Sequence, residues 1–195
     1  MRLADTYPKI KSLSFLTLIV LLLSGCATVW EQPIHEVHLS PTNHQFEFPV
    51  ALLLTQEYRN ATYEEAVPLG ENLVHHTEVL MKSLFSNLTF LDNDPGTNKQ
   101  DTKYILKPRV AFIVQNYGVS AFSEATMKVA VEWNLLTNTG KPVWVETVEG
   151  VGVANTGNIF TGESNQKERV QEALQELFAN TQKAMLSSNV LKNLK

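Results

Sequence analysis

The chain of 195 residues holds a single cysteine, Cys26, and its one marked apolar segment, 13–23, is only about ten apolar residues long. A lone thiol closes no disulfide within the chain, so the fold must be held by packing. A segment that short cannot cross a hydrocarbon layer of about 30 Å, which takes about 20 apolar residues. Positive charge is scarce as well: 16 Lys and Arg stand against 20 Asp and Glu, a formal net charge of −4. Nucleic acid and anionic membrane surfaces demand clustered Lys and Arg, so neither is an expected partner. No Gly-x-Ser-x-Gly nucleophile motif is present, and no glycine loop is built to cradle phosphate.

What is present is concentrated at the start. Arg2, Lys9 and Lys11 precede the apolar residues Leu13, Phe15, Leu16 and Leu18 to Leu23, and the run ends in Ser24-Gly25-Cys26. A basic flank, a short apolar core and a pair of small residues are the parts of a secretory leader. The last four residues, Leu23-Ser24-Gly25-Cys26, resemble the lipobox of bacterial lipoproteins. That resemblance implies a diacylglycerol on the Cys26 thiol, removal of residues 1–25, and acylation of the freed amine by a chain such as palmitate. It covers the first 26 residues and states an address, not an activity. Several acyl chains, each gaining about 0.8 kcal/mol per buried CH₂, make such an anchor durable. In lipoproteins of this kind an Asp after the cysteine favours retention at the inner membrane; here the residue is Ala27, so the outer membrane, facing the periplasm, is the expected location. Apart from this covalent lipid, no cofactor and no metal is expected.

The leader carries a net +2 from Arg2, Lys9 and Lys11 against Asp5, so the mature chain stands at −6. Its 170 residues suffice for one domain with a real core. Residues 26–45, with Pro33, Pro41, Thr42 and Asn43, lack a helical or strand period and read as the lipidated cysteine and its tether. A single periplasmic domain is then expected over 46–195.

Within it, the near-continuous apolar residues of 46–55 predict a strand buried on both faces. Leu73, Thr77, Leu80, Leu84 and Leu88 recur at helical spacing after Pro68 and Gly70, predicting an amphipathic helix of about five turns. Residues 88–91 read as a short strand, and strand–helix–strand predicts a parallel crossover. Over 103–115 Tyr104, Leu106, Val110, Phe112 and Val114 share one face, predicting a half-exposed strand. Over 125–136 Met127, Val129, Val131, Trp133 and Leu135 alternate with Lys128, Glu132 and Asn134. Thr137 to Lys141 then forms a hairpin loop with Gly140 in a left-handed conformation, returning as a strand over 142–154. Gly150 and Gly152 share a face of that strand, suiting a bulge or a closely packed helix. Ser164 offers an N-cap to a last helix lined by Val170, Ala173, Leu174, Leu177, Phe178, Thr181 and Met185. The expected fold is a two-layer α+β domain, a mixed five-stranded sheet with two helices in the order β-α-β-β-β-β-α.

A strand–helix opening, a hairpin with Trp133 and Trp144 flanking Thr139-Gly140-Lys141, and a C-terminal helix resemble a group of small envelope lipoproteins. The group includes the lipopolysaccharide-assembly lipoprotein, the globular part of the curli-secretion lipoprotein, and the penicillin-binding-protein activator with its TolB-like amino-terminal fold. The likeness, over about 46–186, is of topology. It implies non-enzymatic domains that dock on larger envelope machines, and it carries no functional residue across.

Other candidates weigh less. His75 and His76 are helical neighbours pointing about 100° apart, and read as a solvated pair rather than metal ligands. His35 and His38 lie in the tether. Glu64-Glu65 and Asp92/Asp94 read as surface charge. The more informative surface is apolar: Tyr117, Val119, Ala121 and Phe122 connect two strands, and Ile159 and Phe160 precede the last helix. Tyr117, Phe122, Ile159 and Phe160 are the candidate partner-binding residues, with Tyr58 and Tyr63 as further members of the rim. The expected function is a membrane-anchored docking or assembly module for an envelope transport, secretion or wall-assembly complex. The alternative is a carrier or sensor of a small apolar or glycan ligand, which needs an internal cavity where a docking domain needs a filled core.

Overall fold

In the computed structural model the chain divides at Trp30 into two units. The structure describes residues 36–42, 46–63, 67–91, 102–116, 124–155 and 162–195, all in the second unit. Along the chain these form β1 (Val50–Leu53), α1 (Gln56–Arg59), β2 (Thr62–Tyr63), β3 (Val67–Pro68), α2 (Gly70–Leu84), β4 (Leu88–Leu91), β5 (Tyr104–Asn116), β6 (Glu124–Thr137), β7 (Pro142–Asn155), α3 (Gly162–Ser187) and α4 (Asn189–Lys192).

The five strands expected from the sequence join a mixed sheet in the order β4-β1-β5-β6-β7, and β2 pairs with β3 in a separate small ribbon. β1 lies parallel to both β4 and β5, so β1–α2–β4 is the expected parallel crossover. β5, β6 and β7 form an antiparallel meander. Gly140 sits at φ 85° in the β6–β7 turn, a backbone region that glycine enters without steric cost. The domain is two-layered α+β, with α2 and α3 as its main helices.

The core lies between one sheet face and those helices. Met127, Val129, Val131, Trp133 and Leu135 of β6 are all buried, as are Leu73, Thr77, Leu80 and Leu84 of α2. All seven residues read as the inner face of the last helix, Val170 to Met185, are buried too. A Cβ added at Gly150 would collide with the carbonyl of Ala173, and one at Gly152 with that of Arg169. The two glycines thus let α3 lie directly on β7, the close-packing option of the two the sequence left open.

Four expectations are corrected. β1 is four residues long, and Leu54 stays buried beyond it while Thr55 caps α1 through a hydrogen bond from Tyr58 N. α2 stops at Leu84, and Leu88 belongs to β4. Phe85 turns extended because its ring packs with Phe46 at 5.1 Å and Phe48 at 5.5 Å, and Phe46 and Phe85 form a parallel bridge. In β5 the register slips between Val110 and Phe112, so that Ala111 is an extra residue. Such a bulge reverses the side-chain alternation. Phe112 and Val114 are therefore exposed on the face away from the helices, while Ile113 packs against the core. Finally, α3 begins at Gly162, which places Ser164 inside the helix rather than at its cap.

Candidate docking surfaces

Cys26, Tyr117, Phe122, Ile159 and Phe160 lie outside the described residues, as do His35, Glu64, Glu65, Asp92 and Asp94. The remaining candidates divide sharply. Tyr58 and Tyr63 do not reach the rim: both are buried in the core, Tyr58 on α1, which packs against α2, and Tyr63 on β2. The Tyr58 hydroxyl sits 2.8 Å from Thr77 Oγ1. Burial pushes this phenol well above its ordinary range, and the Thr77 hydrogen bond opposes the shift. His75 is exposed but His76 is buried against Phe178, with ring centroids 5.4 Å apart, so only one member of the pair is solvated. Among the described residues no cluster of His, Cys, Asp or Glu is arranged to hold a metal.

Three surface features remain. The first is an extended strap. Residues 36–42 carry no helix or strand, yet they run along α3 and are held by two glutamines on it. His38 N donates to Gln175 Oε1 at 2.7 Å, and Gln175 Nε2 donates to His38 O at 2.7 Å. Gln182 repeats the pairing on Ser40, at 3.2 Å and 2.9 Å. In an extended chain the N–H and C=O of one residue point the same way, so a primary amide bonds both as a neighbouring strand would. Val37 and Leu39 pack against the core edge, and Thr42 Oγ1 reaches Ser83 O. Part of the stretch read as tether is thus fastened to the domain.

The second feature is the sheet face opposite the helices. Phe112, Val114, Val145 and Val153 are exposed, interspersed with Lys107, Arg109, Lys128 and Glu132. Arg109 bonds Glu132 at 3.3 Å, and Asn134 Nδ2 donates to Glu132 Oε1 at 2.9 Å. The Asn134 bond, and then Arg109, hold the Glu132 carboxyl below its usual range.

The third is the outer edge of β7. Glu176 Oε2 accepts from Val151 N at 2.8 Å, Glu172 Oε2 accepts from Val153 N at 2.9 Å, and Asn180 Nδ2 donates to Glu149 O at 3.0 Å. Residues 172, 176 and 180 stand one helical turn apart, so α3 shields this part of the edge with a row of side chains.

Among the described residues, side chains pack and bury the space between sheet and helices, and clefts lie at the margins. One of about 500 Å³ lies beside Phe46, Phe48, Leu191 and Lys192, another of about 580 Å³ beside Trp144, Asn180 and Val190. No helix among the described residues is long and apolar enough to cross a membrane.

No family model and no curated protein matches the chain. Among solved structures it is similar to the hypothetical protein CT253 from Chlamydia trachomatis, with 12% identity, 75% of this chain and 99% of that one covered, and a TM-score of 0.50. It is also similar to protein XCC0632 from Xanthomonas campestris, with 10% identity, 78% and 96% covered, and a TM-score of 0.48. A third is the minor lipoprotein from Acinetobacter baumannii, with 12% identity, 75% and 91% covered, and a TM-score of 0.45. The first likeness is one of fold alone, the other two are looser, and none carries a functional residue across.

Proposed function

We propose that this chain is a lipid-anchored docking module of a bacterial envelope, held at the outer membrane through Cys26 and facing the periplasm. It binds a protein of a transport, secretion or wall-assembly system and catalyses no reaction. The observation that carries the docking reading is the filled space between the two layers: Trp133, Leu52, Leu73, Leu80, Leu174, Leu177 and Phe178 are almost wholly buried there. A carrier needs a cavity at that place, whereas a docking domain needs a firm surface. The anchor rests on Leu23-Ser24-Gly25-Cys26 and the basic, apolar leader before it. Tyr117, Phe122, Ile159 and Phe160 remain the proposed apolar contacts of the partner.

The strap bears on reach. From Cys26 to Glu36 the chain has ten peptide steps, each spanning at most about 3.6 Å, so the start of the strap lies within about 36 Å of Cys26. A test is cross-linking in living cells followed by mild-detergent purification through a C-terminal tag, with Cys26→Ser as the unanchored form. A discrete partner recovered with the lipidated chain and lost with Cys26→Ser is the expected result. The bare chain carrying lipid or glycan in its interior would overturn the reading in favour of a carrier.

A further inference from the structure

The edge of β7 is guarded over one half and open over the other. Backbone groups along an antiparallel edge strand alternate between the neighbour and the outside, one residue after the next. Val151, Val153 and Glu149 turn theirs outward, where Glu176, Glu172 and Asn180 meet them. By the same alternation Thr147 and Val145 turn N–H and C=O outward as well, and among the described residues nothing bonds them. Below this stretch α3 presents Lys183, Ala184 and Ser187, which line a groove of about 580 Å³ with Trp144, Glu146 and Val190. Val145 is 48% exposed and Val190 44%. At Val143 the β6–β7 register shifts, which ends the regular edge.

We propose that residues 144–149 receive an extended segment of a partner protein, which adds to the sheet as a sixth strand beside β7. The proposal rests on the docking reading and states how the docking is done. Natural sheets blunt their exposed edges, and here the blunting by α3 ends at Asn180, which bonds Glu149 O at one end of the groove. Strand addition draws affinity from main-chain hydrogen bonds and specificity from pockets for alternate side chains. Glu146 stands on the helix side of this stretch with Lys183, while Glu149 lies on the opposite face beside Val145 and Thr147 and has no ion pair among the described residues. The complementary segment therefore carries Lys or Arg between apolar residues, whereas a second copy of this chain would add two more carboxylates.

Thr147→Pro deletes an outward N–H and leaves the β6 ladder intact, while Thr147→Ala deletes only side-chain atoms. The full-length, anchored protein with a photo-cross-linking residue at position 145 is irradiated in cells in each background. Cross-linked partner is expected at wild-type yield in Thr147→Ala and at least tenfold less in Thr147→Pro, with both variants melting as wild type. The cross-linked peptide, read by mass spectrometry, should contain Lys or Arg among alternating apolar residues. In the purified wild-type complex, exchange of the Val145 and Thr147 amides should slow, a readout that stands even if the proline variant fails to fold. Equal yields in both variants, or unchanged exchange at these amides, would overturn strand addition while leaving docking intact. A dimer of the purified chain that Thr147→Pro dissolves would put a second copy on the edge and overturn the choice of partner. A wild type that yields no complex at all would overturn the docking reading itself.

Discussion

Tyr58 shows how one buried phenol ties stability to pH. Its folded pKa lies above the ordinary value of about 10, so its contribution is whole below pH ~10 and lost as pH rises through the folded value. Urea unfolding should show a declining midpoint above pH 10 in the wild type. In Tyr58→Phe that part of the decline should vanish, at a cost near neutrality of about 1 kcal/mol for the hydrogen bond with Thr77. Glu132 has the opposite sign: its lowered pKa gives a contribution present above the ordinary carboxylate range and lost on acidification. Its partners lie at the surface, so the effect is small. Glycines divide by mechanism. Gly152→Ala drives a methyl into the Arg169 carbonyl and should cost roughly 1–3 kcal/mol or more through overpacking. Gly140→Ala meets no atom and should cost about 1–2 kcal/mol, from backbone conformation alone. Thermal melts of the two variants check the order.

At the scale of elements, the strap makes a prediction of its own. Gln175→Ala with Gln182→Ala removes four backbone bonds to His38 and Ser40 and should free residues 36–42 to protease attack while the domain's melting midpoint moves little. Unchanged resistance would mean that Val37 and Leu39 hold the strap without the glutamines. The strap also marks where sequence reading stops. Its backbone partners stand 137 and 142 residues away and belong to polar side chains, so no local period signals them. β6 and α3 were legible because each buries one face of a regular element, and alternation or helical spacing records that burial directly. The Ala111 bulge was illegible: Phe112 and Val114 continue the apolar alternation, and one inserted residue reverses their facing without altering composition. The Glu172, Glu176 and Asn180 row was readable in principle from its four-residue spacing. Nothing in that spacing distinguishes a guarded sheet edge from a solvated helix face. Tyr58 and Tyr63 were misplaced because their burial depends on the short α1 and the β2–β3 ribbon, elements of two to four residues with no period to detect.

On the scale of the whole molecule, the proposed anchor at Cys26 is joined to a domain in which the described side chains between the two layers are packed and buried. Under the proposed function the molecule acts by position: acyl chains on Cys26 would fix where it is, and its surface would select what it holds. The Cys26→Ser form should lose membrane attachment while keeping the fold of residues 46–195, which fractionation and a thermal melt would separate. The decisive measurement is native mass spectrometry of the tagged protein extracted from membranes in mild detergent. The expected species is a chain beginning at acylated Cys26 in stoichiometric complex with a second, different protein. An isolated chain, or one accompanied only by a non-covalent lipid or glycan, would contradict the docking reading.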